Sequence, residues 1–209
     1  MVVAHRIGRR DEPSLREMLE WALECLRDPL SVLYTSDEWD AYGKALKNLF
    51  GVEYVPQRKP GPGRPPNPKV YLPGELKYAV VHKRRERGRV VEVERKVVYG
   101  DPKEIERILK KSLVSSFLNT SFIERNNLTL RQNNRRLQRK TLGFSKKLWL
   151  LDCQIRLFLG YYHFVRPHGG LTIEREGEKN IQRTPFMAAG FTDRIWSLEE
   201  LMRYVPGAS

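Results

Sequence analysis

Between Val2 and Val55 the sequence alternates short apolar runs with helical stripes, and that alternation narrows the fold more than any other feature. Val2 and Val3 lead into His5-Arg6-Ile7-Gly8, which reads as a strand. Ser14-Leu15-Arg16-Glu17 is a capping box, so a helix is expected to start there. Leu15, Met18, Leu19, Ala22, Leu23 and Leu26 fall at helical spacing and predict one buried stripe. Asp28-Pro29 ends that helix, Ser31 to Tyr34 is a short apolar strand, and Asp40 to Phe50 reads as a second helix. Val52 to Val55 is a further strand. Strand, helix, strand, helix, strand argues for an α/β sheet with parallel connections. A chain that opens inside a strand also implies that earlier strands of the sheet are not part of it.

Arg58 to Lys69 interrupts the pattern with five prolines, two glycines, four basic residues and no acid. It reads as a surface loop whose charge attracts phosphates. Its Gly63-Arg64-Pro65 also matches the core of minor-groove hooks, on the wrong flanks. Leu76 to Lys83 and Arg89 to Tyr99 alternate and are rich in valine, so they predict a β-hairpin with a basic tip at Arg84 to Gly88. A helix follows Asp101-Pro102, with Ile105, Ile108 and Leu109 inward. Asn119-Thr120-Ser121 caps a long helix expected to run to Gln138 or beyond. Lys146 to Val165 is an apolar-striped helix ended by Arg166-Pro167, and Ser197-Leu198-Glu199-Glu200 opens a short last helix. The expected domains are a partial core over 1–57, a Pro-rich loop and hairpin insertion over 58–100, core helices over 101–165 and a C-terminal extension over 166–209.

The net charge of +13, with a pI near 9.9, points to a polyanionic partner, because so large a surplus adds only self-repulsion to the fold. Cys25 and Cys153 have no partner spacing, and His5, His82, His163 and His168 have no metal-binding spacing. The N-terminus lacks the apolar core of a signal peptide, and Leu148 to Val165 is broken by Asp152, Gln154, Arg156 and His163. The reading is a cytoplasmic, nucleoid-associated protein with no membrane contact.

Three places carry candidate chemistry. Asp37 follows the strand before it, where ligands gather at the carboxyl ends of strands in open sheets. By position alone it is more simply a helix cap. Glu124 is the only acid between Phe122 and Lys147, a stretch that holds eight Lys or Arg. At helical spacing Glu124, Asn127, Arg131 and Arg135 share one polar face, while Ile123, Leu130 and Leu137 recur every seven and predict a core face. That face suits phosphates, although solvated ion-paired helices look the same. His168 follows a helix end and could meet a phosphate, or simply cap or pack. No glycine-rich phosphate loop, Gly-x-Ser-x-Gly elbow or zinc-hydrolase histidine pair is present.

At these residues the chain resembles the DDE transposases of insertion sequences. YTSDEWDAYGKAL resembles the segment with that family's second aspartate, and NTSFIERNNLTLRQNNRRLQRKTLGFSKK the segment with its glutamate. YYHFVRPHGGL and RTPFMAAGFTDRIWSLEELM resemble the tracts that follow. The resemblance covers about residues 1 to 205 and is weakest from 58 to 100. It implies an α/β fold with an RNase H-like mixed sheet flanked by helices, here lacking its first strands, with a hairpin insertion and a helical C-terminal part. It also implies three carboxylates holding two Mg²⁺ (or Mn²⁺) ions ~3.5–4 Å apart for in-line attack on a phosphodiester. By position Asp37 is the second acid and Glu124 the third, both catalytic and metal-binding.

The first acid has no candidate, since Asp11 and Glu12 come after the expected strand. Arg125, Asn127, Arg131, Arg135, Arg136, Arg139, Lys140, Arg166 and His168 are the expected DNA contacts. The expectation is a catalytic-domain fragment for DNA cleavage and strand transfer, inactive alone. The alternative is a non-catalytic DNA-binding remnant on backbone phosphates. DNA is the implied partner, with a homodimer and an upstream product supplying the missing strands as further ones.

Overall fold

A computed structural model describes residues 1–57, 64, 66–112, 115–138, 140, 142–177 and 179–204. Gly63, Pro65 and Arg139 lie outside the described residues, and with them most of the hook tripeptide and one expected DNA contact. The chain divides into two compact units, Ala4–Asn126 and Met1–Val3 with Asn127–Ser209. No helix among the described residues is long and apolar enough to cross a membrane.

The strand expected at the N-terminus does not form. Its apolar residues Val2, Val3, Ala4 and Ile7 are interrupted by His5 and Arg6, too little to hold a strand without a partner. Helix α1 (Glu12–Glu24) starts before Ser14. Asp11 caps it by accepting from the Ser14 amide at 3.0 Å, and Pro13 presets the first turn. Of the predicted stripe Leu15 is buried, while Met18 and Leu19 are half-buried against Ala41 and Ala45.

Strand β1 (Leu33–Ser36) begins two residues later than the apolar run suggests, because Asp28 accepts from the Leu30 amide and closes a short 3₁₀ turn. Helix α2 (Ala41–Phe50) buries Ala41, Ala45 and Leu46. Strand β2 (Val52–Tyr54) does not extend the sheet in parallel as the alternation suggested. It pairs antiparallel with β3 (Lys69–Tyr71) in a separate two-stranded ribbon that is exposed throughout.

The main sheet has the order β1, β4 (Lys77–Glu86), β5 (Arg89–Tyr99). β1 pairs parallel with β4, and β4 antiparallel with β5, so the sheet is mixed. The β4–β5 turn is the two-residue Arg87-Gly88, with φ of 48° and 80°. Two successive positive φ values give the turn whose twist matches a hairpin. The sequence sets this hairpin apart as an insertion, yet β4 is the middle strand and buries Lys77, Tyr78, Ala79 and Val81. The buried Lys77 ammonium is satisfied by the carbonyls of Glu75 (2.7 Å) and Leu30 (3.2 Å) and by Glu104 (3.5 Å). Ala79 and Val81 pack with Ile105 of α3 (Pro102–Lys111) and with Leu118.

Helix α4 (Ser121–Asn133) is shorter than predicted. Asn134 leaves helical geometry, and its side chain accepts from the Arg136 amide to start a 3₁₀ turn over Arg135–Leu137. Nor does α4 have the predicted core face: none of its residues is buried, and Ile123 is 55% exposed.

Within Asn127–Ser209, α5 (Leu148–Gly160) buries Leu151 and Ile155 and runs into a π-type turn over Tyr161–Val165. Arg166 ends that turn, as Arg166-Pro167 predicts. Phe164 packs on Phe186 of α6 (Pro185–Ala188) at 4.5 Å and on Trp196 at 4.3 Å. The predicted capping box opens α7 (Leu198–Arg203), with Ser197 and Glu200 exchanging bonds of 3.1 and 2.7 Å.

Candidate functional site

Asp37 lies one residue beyond the C-terminal end of β1, where the strand releases the chain. It is not the helix cap, since α2 takes Asp40 as its first flanking residue. Its carboxylate faces the Arg10 guanidinium at 3.3 Å, and both side chains are mostly exposed. Arg10 in turn lies 4.6 Å over the Trp39 ring. The next residue, Glu38, meets the imidazole of His82 from β4.

Glu124 sits in the first turn of α4, as its place after the Asn119 turn predicts. The helix N-terminus favours a negative charge there. Two donors meet one oxygen, Oε1: the Lys83 ammonium at 2.6 Å and the Thr120 hydroxyl at 2.8 Å. The Lys83 bond, more than any other cause, holds the Glu124 carboxyl below the usual glutamate range. Glu124 is about half exposed, whereas the Lys83 side chain is only 18% exposed.

Sequence reasoning missed Lys83 and Arg10 as the partners of the two acids. For Lys83 a signal exists. Side chains on a strand alternate, so Lys83 shares a face with Ala79 and Val81, which enter the core. A lysine continuing a core face needs an anion to meet it. For Arg10 the sequence offers no comparable signal.

The predicted DNA contacts fall in varied settings. Arg125 and Asn127 are exposed on α4, and Arg131 is half-buried there. Arg135 and Arg136 belong to the 3₁₀ turn, so Arg135 does not continue the α4 face. Arg136 donates to Ser145 at 3.3 Å. Lys140 is exposed, with a φ of 56°. Arg166 is half-buried at the end of the π-type turn. His168 packs edge-on against Tyr162 at 4.4 Å, and its Nε2 is buried with no partner among the described residues. Burial pushes its pKa below the ordinary histidine range.

Residues 91–165 match the IS1 transposase family, a segment from within β5 to the end of the π-type turn. The match supports an insertion-sequence transposase of the DDE type. Glu124 lies inside the matched segment and Asp37 outside it. No curated protein and no solved structure matches the chain. DDE transposases act on DNA and generally use a divalent metal. The described residues do not form a site for the paired ions. Among the described residues no group of three or more His, Cys, Asp or Glu could hold a metal. Asp37 and Glu124 are each engaged by a different basic side chain.

Proposed function

We propose that the chain carries part of a transposase catalytic core of the RNase H-like type, contributing Glu124 and Asp37 as two of the acids with which DNA strands are cut and joined, and that it is inactive alone. The observation that carries this reading is Glu124: the only acid in a strongly basic stretch, in the first turn of α4 and inside the family match. The Lys83 and Thr120 bonds lower its pKa, so the carboxylate keeps its charge to lower pH than an ordinary glutamate. Arg125, Asn127, Arg131, Arg135, Arg136, Lys140 and Arg166 would hold backbone phosphates, giving register rather than sequence choice. Arg139, in the same basic stretch, joins them by its chemistry.

Plasmid nicking in Mn²⁺ buffer tests the role of Glu124. Any Mn²⁺-dependent nicking by wild type should be lost in Glu124→Gln, and equal nicking by both would reject Glu124 as a catalytic residue.

A second reading has its own support. Each acid is already neutralised by a basic side chain, which suits a DNA-binding protein without chemistry. On that reading DNA is bound without nicking, and affinity falls steeply with added salt. Affinity that ignored salt would reject it.

A further inference from the structure

The site at Glu124 already has a cation, supplied by the chain. We infer that Lys83 is a built-in counter-ion that competes with divalent metal for the Glu124 carboxylate. Three observations within the unit Ala4–Asn126 carry this. First, the ammonium lies 2.6 Å from Oε1, the distance of a charge-assisted hydrogen bond. Second, Lys83 cannot swing away cheaply. Its side chain is 18% exposed on a core-facing row of β4, and leaving Glu124 would strand a largely desolvated charge. Third, the Thr120 hydroxyl donates to the same oxygen at 2.8 Å. A metal ion at Oε1 would have to displace both donors, and a divalent cation beside the ammonium would meet direct charge repulsion.

The geometry also separates Lys83 from the other basic residues nearby. Arg85 acts on the carboxylate through its charge, whereas Lys83 bonds it directly. Lys83 comes from a strand, so its position is set by sheet register: Lys83 pairs with Val93 across β4 and β5. It is therefore held at Glu124 by the fold and not by the flexibility of a surface lysine. Lys83 acts on the carboxylate and not on DNA in this inference, which holds whether or not the chain cuts DNA.

Amide line broadening by Mn²⁺, read by NMR on the full chain without DNA, tests it. In wild type the Thr120, Glu124 and Arg125 amides should broaden no more than they do in Glu124→Gln. In Lys83→Met they should broaden at about tenfold lower Mn²⁺, the factor a charge-assisted hydrogen bond is worth after allowing for the half-exposed carboxylate. The double variant Lys83→Met/Glu124→Gln should lose that gain. Lys83→Gln provides a milder version that retains a donor and removes the charge. Broadening in wild type that disappears in Glu124→Gln would overturn the inference, as would Lys83→Met and Lys83→Gln that both respond like wild type. Because no DNA is present, failure here leaves the nicking test untouched.

Discussion

His163 should make the unit Met1–Val3 with Asn127–Ser209 lose stability in mild acid. The ring is 5% exposed, its Nε2 accepts from the Val2 amide at 3.0 Å, and it stacks on Phe186 at 4.7 Å. Burial, then the positive N-terminal amine, lowers its pKa from the ordinary 6.5 to about 4. An imidazole with a lowered folded pKa takes up its proton more readily when unfolded. Stability is therefore complete above about pH 6.5 and is lost as pH falls toward 4. At pH 5 the unfolded ring is about 1.5 units below its pKa and the folded ring still neutral, which costs about 2 kcal/mol. Urea unfolding of wild type and His163→Phe at pH 7.5 and pH 5, followed by circular dichroism, isolates this. The variant leaves the Val2 amide without its acceptor, but that loss is the same at both pH values and cancels. Carboxylates titrate alike in both proteins and cancel too. The variant should lose about 2 kcal/mol less than wild type between the two pH values. Equal losses would refute the argument, since a ring that stayed neutral only by assumption would then carry no pH dependence.

Gly100→Ala should destabilise by about 2 kcal/mol, because φ is +93° there and a Cβ would sit 2.9 Å from the Leu76 carbonyl oxygen. Gly74→Ala, with nothing within 4 Å, is the control and should shift the urea midpoint little. Ile105→Ala should cost about 2–5 kcal/mol, since Ile105 is 2% exposed among Ala79, Val81 and Leu118. A thermal melt lowered by only a degree or two would show that the site collapses around the gap. If the phosphate contacts are as proposed, Arg131→Ala should reduce the slope of log DNA affinity against log salt by about 0.9. An unchanged slope would remove Arg131 from the contact set.

Local chemistry was readable from the sequence, and pairing was not. The Ser197–Glu200 box and the stop at Arg166 each depend on a few adjacent residues and lie where the sequence puts them, whereas the hairpin tip expected at Arg84 to Gly88 narrows to Arg87-Gly88 because β4 pairs on to Glu86. The start of α1 went astray because two caps compete: Asp11 with Pro13 wins over Ser14 with Glu17. The place of β2 depended on a partner across a Pro-rich stretch, which no local pattern encodes. The length of α4 turned on Asn134, whose side chain makes a better start to the next turn than another helical step. Of the candidate site, the placement of Asp37 after a strand and of Glu124 in a first helical turn was legible. Of their basic partners, Lys83 had a signal in its place on the core-facing row of β4, whereas Arg10 is far from Asp37 in sequence and had none.

The basic stretch around Glu124 and the cation that meets Glu124 are different things, and the distinction orders the experiments. Charge counting along the sequence credits the carboxylate to its own helix, with Arg131 and Arg135 along one face. The helix ends at Asn133, so Arg135 is not on that face, and the ammonium that bonds the acid comes from β4. A surface charge several ångströms away is weakened by water and salt, whereas a donor at 2.6 Å with most of its side chain buried is not. Neutralising residues of the basic stretch should therefore change how tightly a phosphate backbone is held and leave the state of the Glu124 carboxylate nearly unaltered. Changing Lys83 should do the reverse. A double-mutant cycle between Arg131→Ala and Lys83→Gln, read by DNA affinity, should then be additive within about 0.5 kcal/mol. A larger coupling would mean that phosphate binding and the Glu124 ion pair draw on the same charges, and that α4 and β4 cannot be assigned separate electrostatic tasks.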